Sequence, residues 1–213
     1  MLQDDDLNAV SLPHTLLTNT QILGLTTLFT ISGHRALYLL LLVVTLLLAL
    51  IQAMHLEPLL VWDRLAISNG EYWRIVTGNW LHTNWNHFFM NAAGFVFIAL
   101  IFTPPARIYL IATLTLTPLV GFCLINSDYQ QYAGLSGVLH GLFGWFALRE
   151  ALNGRRSSWL LVGGLVLKVG YETLFNPESP TQALIDAPIA FEAHLYGALL
   201  GLTIALIRDQ TRL

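Results

Sequence analysis

Ser136 stands in the stretch "YAGLSGVLHG" (Tyr132 to Gly141), flanked by Gly134 and Gly137 where a loop turns into an apolar helix. A serine hydroxyl becomes a nucleophile when a base within hydrogen-bond reach takes its proton. A helix start supplies unpaired backbone N–H groups and partial positive charge, which suits the oxyanion formed when serine attacks a carbonyl. The candidate base is His194, in "AHLYGALLG". Gly137, Gly141 and Gly144 recur at helical spacing after the serine, and His194, Gly197 and Gly201 share one helix face. Stripes of small residues let helix backbones approach closely, so the two stripes predict a contact that carries His194 to Ser136. The chemistry this permits is acyl transfer through serine.

Further polar residues fall around that pair. His87 and Asn91, in "HTNWNHFFMN", are four apart and share a helix face, where both can donate to a developing oxyanion. His82 precedes His87 by five residues and is placed on the preceding loop, orienting it. No Asp or Glu has an evident triad spacing: Glu192 lies two residues from His194 and so points elsewhere on a helix. The expectation is a Ser136–His194 dyad whose imidazole is oriented by packing rather than by a carboxylate. Lys168 and Glu172, at i and i+4, form a charged pair that should face the bundle or a wet cavity. The simplest reading is an ion pair holding its helix. A sharper one has Glu172, nearer the outer surface, attract a basic or glycine-rich region of a substrate.

The elements that must position these groups are membrane helices. Of 213 residues, 55 % are hydrophobic and only 11 % charged, about half the usual charged share of soluble domains, and mean hydropathy is +0.61. A net charge of −3 gives no case for a nucleic-acid partner, and the single cysteine, Cys123, excludes an intramolecular disulfide or a cysteine-rich metal site. The acidic start "MLQDDDLNAV" lacks the basic region of a signal peptide. A span needs roughly 20 apolar residues, and six candidates lie at about 36–54, 87–103, 107–126, 135–149, 158–175 and 189–207. The fourth is short and glycine-rich, as expected of a central helix. Residues 1–34 are read as a tail or interfacial segment and 35–213 as the six-helix domain. Arg35, Arg107, Arg149, Arg155, Arg156, Arg208 and Arg212 fall on one side of such a bundle, against Arg64 and Arg74 on the other. The positive-inside rule then puts both termini in the cytoplasm, with Ser136 and His194 near the outer face. The segment 55–86, also outside, carries Trp62, Trp73, Trp80 and Trp85, expected at the membrane interface.

The chain resembles the rhomboid intramembrane serine proteases, through "YWR" (Tyr72–Arg74), His82, His87 and Asn91, "GLSG" around Ser136, and "AHLYGALLG" in the last span. The resemblance covers about 60–205. It implies an all-α membrane protein with a six-helix bundle, Ser136 as nucleophile, His194 as general base, and His87, Asn91 and the Ser136 amide as oxyanion donors. It implies a structural role for Trp73 and Arg74 in the outer loop, and no cofactor or metal. Where many rhomboids have tyrosine four residues after the serine, packed on the catalytic histidine, this chain has His140. "GLSGVLHG" and the compact length resemble the bacterial rhombosortase subgroup. That implies an inner-membrane enzyme with its site toward the periplasm. The implied partners are the bilayer and exported proteins anchored by a C-terminal tail with a Gly-Gly motif, one transmembrane helix and a basic end.

Three other readings compete. A catalytically inactive rhomboid-like client-binding protein would not need both Ser136 and His194. A metal site built from His82, His87, His140 and His194 lacks an HExxH motif and a suitably spaced carboxylate. A small transporter would suit the glycine-rich helices and the Lys–Glu pair but leave Ser136, His194 and Asn91 idle.

Overall fold

In the computed structural model the backbone is described for residues 19–175 and 180–210, and the side chains for 34–175 and 180–207. Residues 1–18 of the expected tail, and Arg212, lie outside the described residues. Helix α1 (Asn19–Ala53) runs without a break through residue 34, where the sequence suggested a boundary. Three short helices follow in the segment 55–86, the outer loop of the sequence reading: α2 (Glu57–Leu60), α3 (Arg64–Ser68) and α4 (Arg74–Thr77). The bundle continues with α5 (Trp85–Phe102), α6 (Ala106–Cys123), α7 (Ser136–Leu152) and α8 (Ser158–Phe175). The short α9 (Pro180–Ile185) leads into α10 (Phe191–Gln210).

Among the described residues, four helices are long and apolar enough to cross a membrane, at His34–Ala53, Trp85–Phe102, Ala106–Asn126 and Ser158–Phe175. Helix α7 is short at 17 residues, as its glycine-rich stretch suggested, and the apolar part of α10 (Phe191–Ile207) also falls below the length of those four. Burial accounts for α7. Val138, Leu139, Ala147 and Leu148 point in four different directions around it, yet all are buried, so it is enclosed by its neighbours rather than by lipid. The peripheral helices are inverted relative to a soluble protein: Leu39, Leu46, Leu160 and Leu167 are exposed apolar side chains on α1 and α8, suited to hydrocarbon.

The outer loop is packed rather than laid on an interface. Trp62 is fully buried and donates Nε1–H to the Gly121 carbonyl at 2.9 Å, so this tryptophan is a core residue of the loop–α6 contact. Trp73 and Trp85 do stay half-exposed. A Cβ on Gly121 would lie 1.8 Å from the Ile75 carbonyl oxygen, which fixes how closely α4 meets α6. Strand β1 (Trp62–Asp63) pairs antiparallel with β2 (Gln131–Tyr132), Trp62 opposite Tyr132. This pairing ties the outer loop to the segment that enters α7.

Arg64 and Arg74, the two arginines that the sequence reading puts on the outer side, are consumed by the fold. Arg64 donates to the carbonyls of Ser127 and Tyr129 and of Ile125 just past α6, where a helix C-terminus favours a cation. Arg74 is buried and donates to Val61 O and Pro58 O at 3.0 Å each and to Glu71 Oε2 at 2.7 Å. Arg74→Ala would strand these acceptors. It is expected to lower unfolding free energy by about 3 kcal/mol, read as an earlier thermal transition in detergent.

Candidate active site

Glycine contacts place the two central groups. A Cβ on Gly197 would lie 1.8 Å from Gly137 O, and one on Gly201 2.0 Å from Gly141 O, so α7 and α10 meet backbone to backbone. Ser136 opens α7 and His194 sits in the first turn of α10, at the same end. Their side chains meet, with His194 Nε2 3.0 Å from Ser136 Oγ. Gly137 and Gly141 therefore do what their spacing suggested, and Gly144 extends the stripe against Ala198 O and Leu165.

The loop before Ser136 is held by backbone and side-chain bonds. Gly134 has φ of +149°, a conformation that favours glycine. Its N–H donates to Gly78 O at 3.1 Å. The buried Tyr132 hydroxyl donates to Gly134 O at 2.5 Å. Tyr132 and Thr83 are site-shaping residues that the sequence reading passed over, since neither has a spacing that sets it apart.

A Cβ on Gly134 would come within 3.0 Å of His87 Cε1 and Nε2 and 3.9 Å of Ser136 Oγ, so the His87 ring edge faces the serine. His87 lies in the first turn of α5, whose N-terminus Asn84 caps by accepting the His87 N–H at 2.9 Å. The Thr83 hydroxyl donates to Ile185 O at 2.5 Å, and His87 Nδ1 lies 3.2 Å from the oxygen of that hydroxyl and 3.4 Å from the Thr83 backbone N–H. In the tautomer whose Nδ1 accepts from that N–H, the ring proton is on Nε2. Asn91, one turn on, lines the same cleft, and its buried Nδ2 has no partner among the described residues. His82 lies on the loop before α5 as expected, edge-on to His87 with ring centroids 5.2 Å apart. Burial pushes its imidazole down to about 3, so it packs as a neutral ring.

Glu172 departs from the sequence reading. Its Oε1 accepts from Lys168 Nζ at 2.7 Å, the expected i, i+4 pair, but its Oε2 lies 3.0 Å from His194 Nδ1. A carboxylate therefore does reach the imidazole, from α8 rather than from the neighbourhood of His194 in sequence. Glu192 instead bonds the Tyr129 hydroxyl. Both oxygens of Glu172 are thus engaged within the protein. His140 stacks on His194, ring centroids 4.1 Å apart and 17° from parallel, so the imidazole fills the tyrosine position with ring packing kept. His140, Glu172 and His194 present ligand-type atoms within 4.8 Å of one another, but the Lys168 ammonium already lies 3.0 Å from His140 Nε2. A metal ion there would have to displace it.

Trp73 and Arg74 lie away from this chemistry in the outer loop, where Trp73 Nε1 donates to Leu59 O at 3.2 Å. The site opens into a cleft of about 840 Å³ that Ser136, His87, Asn91, Lys168 and Phe191 help to line. The segment of α9 and the turn after it walls one side, tied down by Asn84 and Asn86 Nδ2 donating to Leu184 O.

Fold and site together describe a multi-pass helical membrane protein with a serine and a histidine in contact at one end of its bundle. The family model for the rhomboid domain matches residues 69–210, about two-thirds of the chain. The chain belongs to the rhomboid family, whose members are in general intramembrane serine proteases. No curated relative matches it.

Proposed function

We propose that this protein is an active intramembrane serine endopeptidase. The observation that carries the reading is the 3.0 Å contact between Ser136 Oγ and His194 Nε2. Ser136 Oγ attacks the scissile carbonyl carbon while its proton passes to His194 Nε2, and the carbonyl π pair moves onto oxygen. The Nε2–H of His87, the free amide hydrogens of Asn91 and the Ser136 backbone N–H hold that oxyanion. On collapse the C–N bond breaks and His194 returns the proton to the leaving amine. Water then attacks the acyl-enzyme with His194 again as base, freeing the carboxylate product and the serine.

The bundle crosses the membrane six times with both termini in the cytoplasm, and the site lies near the outer, periplasmic face of a bacterial inner membrane. This orientation is supported by the arginine distribution, and the two outward arginines that count against it are bonded into the fold. The substrates are membrane-anchored proteins, specifically exported ones with a Gly-Gly-containing C-terminal tail. His140 in the "GLSGVLHG" stretch supports this rhombosortase-type specificity.

The test uses purified protein in detergent and two reporters, one ending in a Gly-Gly tail with a transmembrane helix and basic residues, the other a generic rhomboid substrate. Cleavage of the tail reporter that is absent in Ser136→Ala is expected. Cleavage of the generic reporter alone would remove the tail specificity. Cleavage of neither by folded protein would replace the enzyme with an inactive client-binding protein.

A further inference from the structure

Four side chains from three helices close into one hydrogen-bonded unit behind the serine. The carbonyl oxygen of Ser136 can only accept, so its 2.8 Å contact with His140 Nδ1 puts the His140 proton on Nδ1. His140 Nε2 is then a lone pair, and the Lys168 ammonium 3.0 Å away donates to it. The same ammonium donates to Glu172 Oε1 at 2.7 Å. That leaves Glu172 Oε2 to accept from His194 Nδ1 at 3.0 Å, which directs the His194 Nε2 lone pair at the Ser136 hydroxyl.

We propose that Glu172 is the positioning residue that fixes the reactive tautomer and orientation of His194, and that Lys168 and His140 hold it there. The proposal rests on the protease reading above and changes it from a dyad to a braced Ser136–His194–Glu172 array. Glu172 reaches the Ser136 hydroxyl only through His194. It holds the Nδ1 proton throughout the cycle, and its negative charge favours the imidazolium formed when Ser136 gives up its proton. His140 stacks on that ring and accepts from Lys168 as a neutral imidazole, so Glu172 is the anion beside His194 and Lys168 the nearby cation. A purely structural ion pair would not require the second carboxylate oxygen to point at the imidazole.

The amide variant tests this sharply because of Lys168. In Glu172→Gln the ammonium donates to the amide oxygen, so the amide NH₂ is turned toward His194 Nδ1. That forces Nδ1 to accept and moves the ring proton to Nε2, where it cannot receive another from serine. The expected result, on the reporter that wild type cleaves, is a fall in kcat of about 10³-fold with KM within about threefold. Adding Lys168→Met frees the amide to rotate and accept from Nδ1–H. The double variant is therefore expected to recover at least about tenfold in kcat over Glu172→Gln alone. A structural role predicts the reverse, a double variant no better than the single one. Glu172→Asp, which keeps the charge but withdraws it from Nδ1, is expected to fall between wild type and Gln. Wild-type kcat in Glu172→Gln or Glu172→Asp, or no recovery in the double variant, would overturn the proposal. Ser136→Ala and His194→Ala, run alongside, separate the two claims: if they cleave like wild type the protease reading itself is wrong, whereas if they are inactive only the role of Glu172 is at stake.

Discussion

Gly197→Ala is expected to destabilise the protein by more than about 3 kcal/mol and to abolish cleavage. The added Cβ would sit 1.8 Å from Gly137 O and 2.7 Å from Gly137 C. Both are backbone atoms of a helix, so no side chain can rotate away, and α10 must lift off α7 along the contact that brings His194 to Ser136. Gly201→Ala, with its Cβ 2.0 Å from Gly141 O, should behave alike one turn further on. Gly163 and Gly164 on α8 provide the control, because a Cβ at either meets nothing within 4 Å. Alanine there should be neutral or stabilising by up to about 1 kcal/mol, through helix propensity alone. Thermal unfolding of the four variants in one detergent decides the matter. Equal transitions for Gly197→Ala and Gly163→Ala would show that the helices can separate at no cost, against the packing described above.

The second large effect concerns the reacting pair. Ser136→Ala and His194→Ala are each expected to lower kcat by about 10⁵-fold or more, and the double variant to lose no more than the worse single one. The reason is that Oγ and Nε2 act as a unit: serine without its base is a weak nucleophile, and the base without serine has nothing to activate. The Oγ-to-H change removes one atom at a helix start, so Ser136→Ala should unfold at the wild-type temperature, which keeps the loss a statement about chemistry. Independent contributions, with the two losses multiplying in the double variant, would mean that the pair does not share one step. Residual cleavage above about one per cent in Ser136→Ala would point to a different nucleophile.

Much of the scaffold is legible in the sequence because two kinds of pattern are local. Apolar runs near the length of a bilayer mark the helices, and α5, α6, α7, α8 and α10 begin within about two residues of the expected spans. Glycine at helical spacing marks where backbones touch, and so which helix ends meet. Three features escaped for one shared reason, that each depends on how separate elements pack against one another, which sequence spacing does not give. Glu172 was paired correctly with Lys168 on its own helix, but nothing in α8 says that its other oxygen faces α10. Trp62 was grouped with three interfacial tryptophans by composition, whereas its indole N–H is bonded to Gly121 O, 59 residues away. The hydroxyl of Tyr132 closes on Gly134 through a loop conformation set by β1 and β2, two residues each, too short a pairing to announce itself in sequence.

The distribution of the site along the chain has a consequence for biogenesis. Ser136 enters the membrane with α7, its Glu172 contact with α8, and His194 only with α10, the last helix described. A nascent chain that has inserted everything through α8 thus holds the serine and the carboxylate but no base between them. On the proposed mechanism, hydrolytic capacity arises only when the final helix seats its glycines against α7. A newly made molecule then passes through its own insertion beside other membrane clients without cutting them, and a copy truncated before α10 is harmless for want of a base rather than for want of a nucleophile.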